Sequence, residues 1–191
     1  MYRTVIKRLI DLTISFLAII LLLLPMLLIA LVIFIDDPGP VIFTQKRFGQ
    51  NRKLFKILKF RTMKIDTPDI PTDKMVDAGK YVTRVGKFLR KTSLDELPQL
   101  LNILVGQMSF VGPRPALWNQ DKLIELREKV GANAVRPGLS GWAQINGRDN
   151  ISEKKKAELD GEYVKRLSFL FDLKCFLGTF VKALVGDGVA E

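Results

Sequence analysis

Three short stretches of this 191-residue chain carry side chains suited to chemistry on phosphorus. In Lys91-Thr92-Ser93-Leu94-Asp95-Glu96-Leu97-Pro98-Gln99-Leu100 two adjacent carboxylates precede an apolar repeat. Pro98 fits only the donor-free first turn of a helix, which places Asp95 and Glu96 at a helix N-terminus. Free amides and the positive end of the dipole there favour an ionised Asp95. An ionised carboxylate is a competent nucleophile toward phosphorus, and a neighbouring Glu96 can hold the Mg²⁺ that bridges a diphosphate. The same residues also have a structural reading, because Ser93 and Glu96 have the spacing of a capping box. Val111-Gly112-Pro113-Arg114-Pro115 fixes the backbone on both sides of one arginine. That suits either bidentate phosphate recognition or a stiff surface turn. Lys59-Phe60-Arg61-Thr62-Met63 alternates as a strand, with Lys59 and Arg61 facing one way and Phe60 the other.

A fourth stretch, Arg136 to Arg148, is loop-like, with Gly138, Gly141, Gly147, Pro137 and Trp142. Arg136 and Arg148 can bind phosphate there, and Trp142 either stacks on a base or anchors the loop in a core.

Composition narrows the chemistry. Thirty Lys and Arg against twenty Asp and Glu give a formal charge of +10, which calls for an anionic partner: nucleic acid, acidic lipid or a phosphorylated substrate. One cysteine, Cys175, and no histidine rule out a disulfide framework, Cys/His zinc sites, a Ser-His-Asp triad and a Cys-His pair within the chain. Catalysis must then run on carboxylates, Lys, Arg, Tyr, hydroxyls or an oxygen-bound metal.

The elements that must position these residues begin with Leu12 to Ile35, charge-free and of membrane length, bounded by Asp11 and by Asp36-Asp37. No cleavage site follows it. Pro25 lies in its middle, and basic residues flank it on both sides: Arg3, Lys7 and Arg8 before, Lys46 to Lys64 after. A helix that breaks at Pro25 and returns to its own side keeps both flanks cytoplasmic, whereas an ordinary kinked span places one outside. Residues 1–37 are thus expected to be membrane-inserted and 38–191 to form the catalytic domain. Val41–Thr44 and Leu54–Phe60 around Gly49–Arg52 read as a hairpin, 65–79 as a loop, and 97–105, 120–130 and 158–167 as helices. The Phe-rich tail, 169–185, packs in a core or lies against lipid.

Together the proline-broken apolar segment, KFRTM (59–63), LDELPQLLN (94–102), SFVGPRP (109–115), RPGLSGWAQINGR (136–148) and ELDGEYVKR (158–166) resemble the bacterial sugar transferases, small monotopic phosphoglycosyl transferases, over essentially the whole chain. The resemblance implies an α/β (α+β-like) catalytic domain with a re-entrant helix and interfacial helices, on the cytoplasmic face of the bacterial inner membrane. It implies transfer of a phosphosugar from a UDP-sugar, expected to be an N-acetylated amino or deoxyamino sugar, to undecaprenyl phosphate with release of UMP. Asp95 matches the family nucleophile that forms an aspartyl phosphosugar, and Glu96 the Mg²⁺-binding residue. Lys59, Arg61, Arg90, Arg114, Arg136, Arg148, Asp160 and Asp172 are the candidate substrate-binding residues. The family often has Ser-Pro at the helix break, where this chain has Leu24-Pro25. The rival reading is a non-catalytic, membrane-tethered basic protein that holds acidic lipid or nucleic acid. RNP motifs and zinc knuckles are absent, so no nucleic-acid partner is expected.

Overall fold

The computed structural model describes residues 1–67, 78–147 and 151–185. Arg148 and residues 68–77 of the expected loop lie outside them. Helix α1 (Lys7–Asp36) follows a wider helical turn, Tyr2–Ile6, and the two together are long and apolar enough to cross a membrane. Pro25 does not interrupt α1, contrary to the break expected there. Proline withdraws one donor from the carbonyl four residues back, at Leu21, and helical backbone continues on both sides of it. One face carries Arg8, Asp11, Ser15, Ala18, Ile19, Leu22, Met26, Ile29, Ala30 and Ile33, recurring at helical spacing, and this face lies on the rest of the protein from end to end. The opposite face exposes Leu and Ile, with Leu21 79% and Leu24 67% accessible.

The mixed α/β (α+β-like) architecture expected from the sequence is present, with helices around two small sheets. β1 (Ile42–Phe48) and β2 (Leu54–Phe60) form the expected antiparallel hairpin, in register from Ile42↔Phe60 to Phe48↔Leu54. Helix α2 (Arg84–Thr92) starts at Thr83, whose hydroxyl accepts from Gly86 N–H, and ends at left-handed Ser93. A 3₁₀ turn, Leu94–Glu96, leads into α3 (Gln99–Leu104). Parallel β3 (Ser109–Val111) and β4 (Gly138–Ser140) flank α4 (Asp121–Lys129) in sequence. The short α5 (Trp142–Ile145), α6 (Glu153–Arg166) and α7 (Phe169–Val185) complete the fold. α6 starts five residues before the expected Glu158, capped by Ser152. Its first turn faces water, so no apolar period marks it.

α1 joins two parts of the core. Ala18, Ile19 and Leu22 pack on Ile57, Leu100, Ile103 and Met108, while Met26, Ile29, Ala30 and Ile33 pack with Phe60 and Leu89. Arg8 closes the end of α3, donating to the Ile103 and Leu104 carbonyls at 2.7 Å each. Helix α7 has a packed face and an exposed apolar face. Phe171 and Cys175 are buried, while Phe169, Leu170, Leu173, Phe176, Leu177 and Val181 are exposed.

Candidate active site

Asp95 and Glu96 sit on the 3₁₀ turn between α2 and α3, and the capping box does not form: Ser93 is left-handed (φ 57°) and its side chain makes no cap bond. Lys59, on β2, reaches across to both acids, 2.8 Å from Glu96 Oε1 and 3.5 Å from Asp95 Oδ2. Arg114 Nη1 lies 3.8 Å from the same Glu96 oxygen. Arg90, on α2, donates through Nε to Thr62 Oγ1 at 2.9 Å and acts on Asp95 through its charge. Two carboxylates and three cations from β2, α2 and the Pro-Arg-Pro segment therefore form one cluster.

Asp95 is buried, 8% accessible. Burial pushes its carboxyl above the usual carboxylate range, Lys59 pulls it down, Glu96 pushes it up and Arg90 pulls it down. Asp95 stands on the 3₁₀ turn ahead of α3, which begins at Gln99, and there Lys59 and Arg90 favour its charged form against burial. Burial likewise lowers the Arg90 guanidinium, with Asp95 opposing.

The rigidity expected for Pro113-Arg114-Pro115 has a backbone cause. Four consecutive carbonyls accept from three elements, β4, α4 and β1: Pro113 from Gly138 N–H (2.9 Å), Arg114 from Arg127 Nη1 (3.0 Å), Pro115 from Arg47 Nη1 (3.1 Å) and Ala116 from Phe48 N–H (2.9 Å). Two glycines of the 136–148 stretch, Gly138 and Gly141, serve this same segment. A Cβ on Gly138 would come within 2.1 Å of Gly112 N, and one on Gly141 within 2.2 Å of the Gly112 carbonyl. Only glycine lets the two backbones pass so closely.

Several of the expected substrate-binding residues make contacts within the protein. Asp160, 1% accessible, holds the Arg127 guanidinium at 2.8 and 2.7 Å, and so reaches the cluster only through the Arg114 carbonyl. Asp172 is taken by Tyr2, Lys7 and Tyr163. Arg61 ties the end of β2 to the end of α1 through the Asp37 carbonyl and carboxylate. The strand stops at Phe60, so the alternation that was to align Arg61 with Lys59 ends one residue short. Arg136 donates to the Gly106 carbonyl at 2.9 Å. Trp142 anchors its loop, donating to Glu162 at 2.9 Å with its ring 5.0 Å from that of Phe171.

Arg127 and Asn102 were not singled out from the sequence. Arg127 had a signal: it follows Leu123 and Ile124 on the buried stripe of α4, where a charge needs a buried partner. Among the described residues no three His, Cys, Asp or Glu side chains gather as a metal cage. A Mg²⁺ ion whose shell is completed by substrate phosphates needs only one or two carboxylates, and Asp95 with Glu96 fits that donor set.

Comparison with known proteins gives a family. The family profile described as "Bacterial sugar transferase" matches residues 2–186. The UDP-glucose:undecaprenyl-phosphate glucose-1-phosphate transferase of Escherichia coli K12 is 41% identical over 186 residues, 94% of this chain and 40% of that protein. The uncharacterized sugar transferase EpsL of Bacillus subtilis 168 is 41% identical over 187 residues, 98% of this chain and 91% of that protein. The undecaprenyl-phosphate glucose phosphotransferase of Komagataeibacter xylinus is 38% identical over 191 residues, covering 93% and 36%. The chain thus spans about two fifths or less of the two glucose phosphotransferases and most of EpsL.

Proposed function

This chain belongs to the bacterial sugar transferase family, and from that premise we propose that it is a phosphoglycosyl transferase that moves a sugar phosphate from a UDP-sugar to undecaprenyl phosphate. Asp95 attacks the phosphorus that carries the sugar; the bond from that phosphorus to the UMP oxygen breaks and UMP leaves. The resulting aspartyl phosphosugar is attacked at the same phosphorus by a phosphate oxygen of the lipid, which frees Asp95 and leaves a lipid diphosphosugar. The observation that carries this reading is one buried carboxylate, Asp95, set beside a second, Glu96, under Lys59, Arg90 and Arg114. Cations so placed bind a diphosphate and keep the nucleophile ionised.

Glu96, with Asp95 beside it, would hold Mg²⁺, which neutralises charge on the donor diphosphate when bound. Lipid is reached through α1 and α7. Both ends of α1 are fastened to the one domain, Arg8 and Asp11 to α3 and β3 at one end and Asp36 and Asp37 to α2 and Arg61 at the other. That supports a helix that enters and stays with the cytoplasmic leaflet of the inner membrane, with the exposed face of α7 in the same interface. Tyr2 joins the two helices, its ring centroid 6.3 Å from that of Phe169.

The test is UMP release from a panel of UDP-sugars, with UDP-glucose beside N-acetylated amino sugars. With lipid phosphate the chain turns over; without it, one UMP per protein is released, the mark of a covalent intermediate. No UMP from any donor rejects the reading and leaves the basic binding protein. Full activity in excess EDTA rejects the metal. For topology, Thr4→Cys, at an exposed position with native Cys175 buried, stays unlabelled by an impermeant thiol reagent added to intact cells. Labelling there shows a spanning helix.

A further inference from the structure

β2 pairs with β1 along one edge only. Its other edge is met at residues 56 and 58 by a single side chain from α3. Asn102 Oδ1 accepts from Leu58 N–H at 3.0 Å, and Nδ2 donates to the Lys56 carbonyl at 2.9 Å. These are the two groups a neighbouring strand would use. The second Nδ2 hydrogen goes to Gln107 Oε1 at 2.7 Å. Asn102 is 2% accessible, so reversing the amide would set donor against donor and acceptor against acceptor in a dry site.

The placement links two parts of the catalytic cluster. Asp95 and Asn102 lie seven residues apart on the helical run from the 3₁₀ turn through α3, hence two turns apart on one face. Lys59 is the residue after Leu58 on the strand that Asn102 holds. Packing of Ile57 against Leu100 and Ile103 also brings β2 to α3. Apolar contact is non-directional, however, and tolerates sliding along the strand, whereas two hydrogen bonds to named backbone groups do not.

We propose that Asn102 is a positioning residue that sets how closely Lys59 approaches Asp95 and Glu96. The inference rests on the reading of Asp95 as the nucleophile. Asp95 is faced by Lys59 from β2, by Arg90 from α2 and by Glu96 from its own turn, with Arg114 beyond Glu96. If β2 slides, the Lys59 ammonium leaves the two carboxylates it now bridges.

The experiment measures, at one fixed pH, the ¹⁵Nζ–¹³Cδ dipolar coupling between Lys59 and Glu96 in the lipid-reconstituted full chain, beside kcat and KM for UMP release. Asn102→Ala weakens the coupling and lowers kcat on the order of 10- to 100-fold, with a smaller change in KM. Gln107→Ala, which spares both strand bonds, keeps the wild-type coupling. In a Lys59→Met background, Asn102→Ala produces no further loss of turnover, because the residue acts through the lysine. If Asn102→Ala does not fold, Asn102→Gln, neutral and one methylene longer, is read the same way. An unchanged coupling in a folded variant overturns the proposal, as does an equal loss of turnover in the Lys59→Met background. The coupling needs no turnover, so a wild-type chain that releases no UMP removes the functional reading while leaving this test intact.

Discussion

Asp172 and Asp95 are both buried aspartates facing a lysine, but their oxygens are used differently. Asp172 Oδ2 accepts from Tyr2 Oη at 2.6 Å and Lys7 Nζ at 2.7 Å, and Oδ1 lies 2.7 Å from the Tyr163 hydroxyl, itself 3.0 Å from the Val111 carbonyl. Asp95, among the described residues, has Lys59 as its one hydrogen-bond partner, at 3.5 Å, and that lysine sits closer to Glu96. The first carboxylate is saturated and fastens the start of α1 to α6, α7 and β3. The second keeps lone pairs for an incoming atom. A charge that holds a fold is fully partnered; one proposed to react is surrounded by charge yet left open.

Substitution at Asp95 breaks the comparison most sharply. Asp95→Asn keeps the shape and removes the proposed nucleophile, so UMP turnover falls by about a thousandfold or more while the chain stays folded. Its stability moves the other way. A carboxyl whose folded pKa is raised binds its proton more tightly in the folded state, so stability falls as pH rises from the unfolded pKa through the folded one. At neutral pH wild-type Asp95 therefore carries a penalty that asparagine lacks. Thermal melts show the wild type as the less stable of the two at pH 7, with the difference closing toward acid; a less stable Asp95→Asn at pH 7 refutes this.

Asp172→Ala gives the reverse pattern. It leaves Lys7 buried without its partner, a loss of about 3–5 kcal/mol and, for a chain of this size, on the order of 10 °C in melting temperature. Turnover per folded molecule stays close to wild type. A collapse of turnover without loss of stability would place Asp172 in the reaction after all.

That the two aspartates differ was not visible in their sequence. Both stand in short motifs beside hydrophobic residues, and residue type does not say whether donors converge from segments more than 150 positions away, as Tyr2 and Lys7 do on Asp172. The hairpin was legible because alternation and the Gly49–Arg52 turn coincide, and the Asp95, Glu96, Lys59, Arg90 and Arg114 cluster because those residues lie in distinctive motifs. The packed face of α1 was hidden, since an all-apolar run has no polar side to mark orientation. Arg8, Asp11 and Ser15, three and four apart, were its one trace, and they point inward, as polar residues do in a helix whose outer face meets lipid.

The smallest effect sharpens the contrast from a third carboxyl, Glu162. It accepts from Trp142 Nε1 at 2.9 Å and pairs with Arg166 at 2.6 Å, four residues on along α6, with both side chains of the ion pair nearly half exposed. The Trp142 bond, then the Arg166 bond, hold its pKa below the ordinary glutamate value. The sign is opposite to that of Asp95: a lowered folded pKa contributes stability above the unfolded pKa, and this is lost as pH falls through the folded one. Glu162→Gln keeps an acceptor for Trp142 and drops the charge, so at pH 7 it costs at most about 0.5 kcal/mol, the scale of an exposed i,i+4 pair. In melts from pH 7 toward pH 3 the Glu162→Gln deficit shrinks, while the Asp95→Asn surplus also shrinks from the other side. Equal and same-signed pH dependences for the two variants would show that burial does not separate Asp95 from the surface carboxyl.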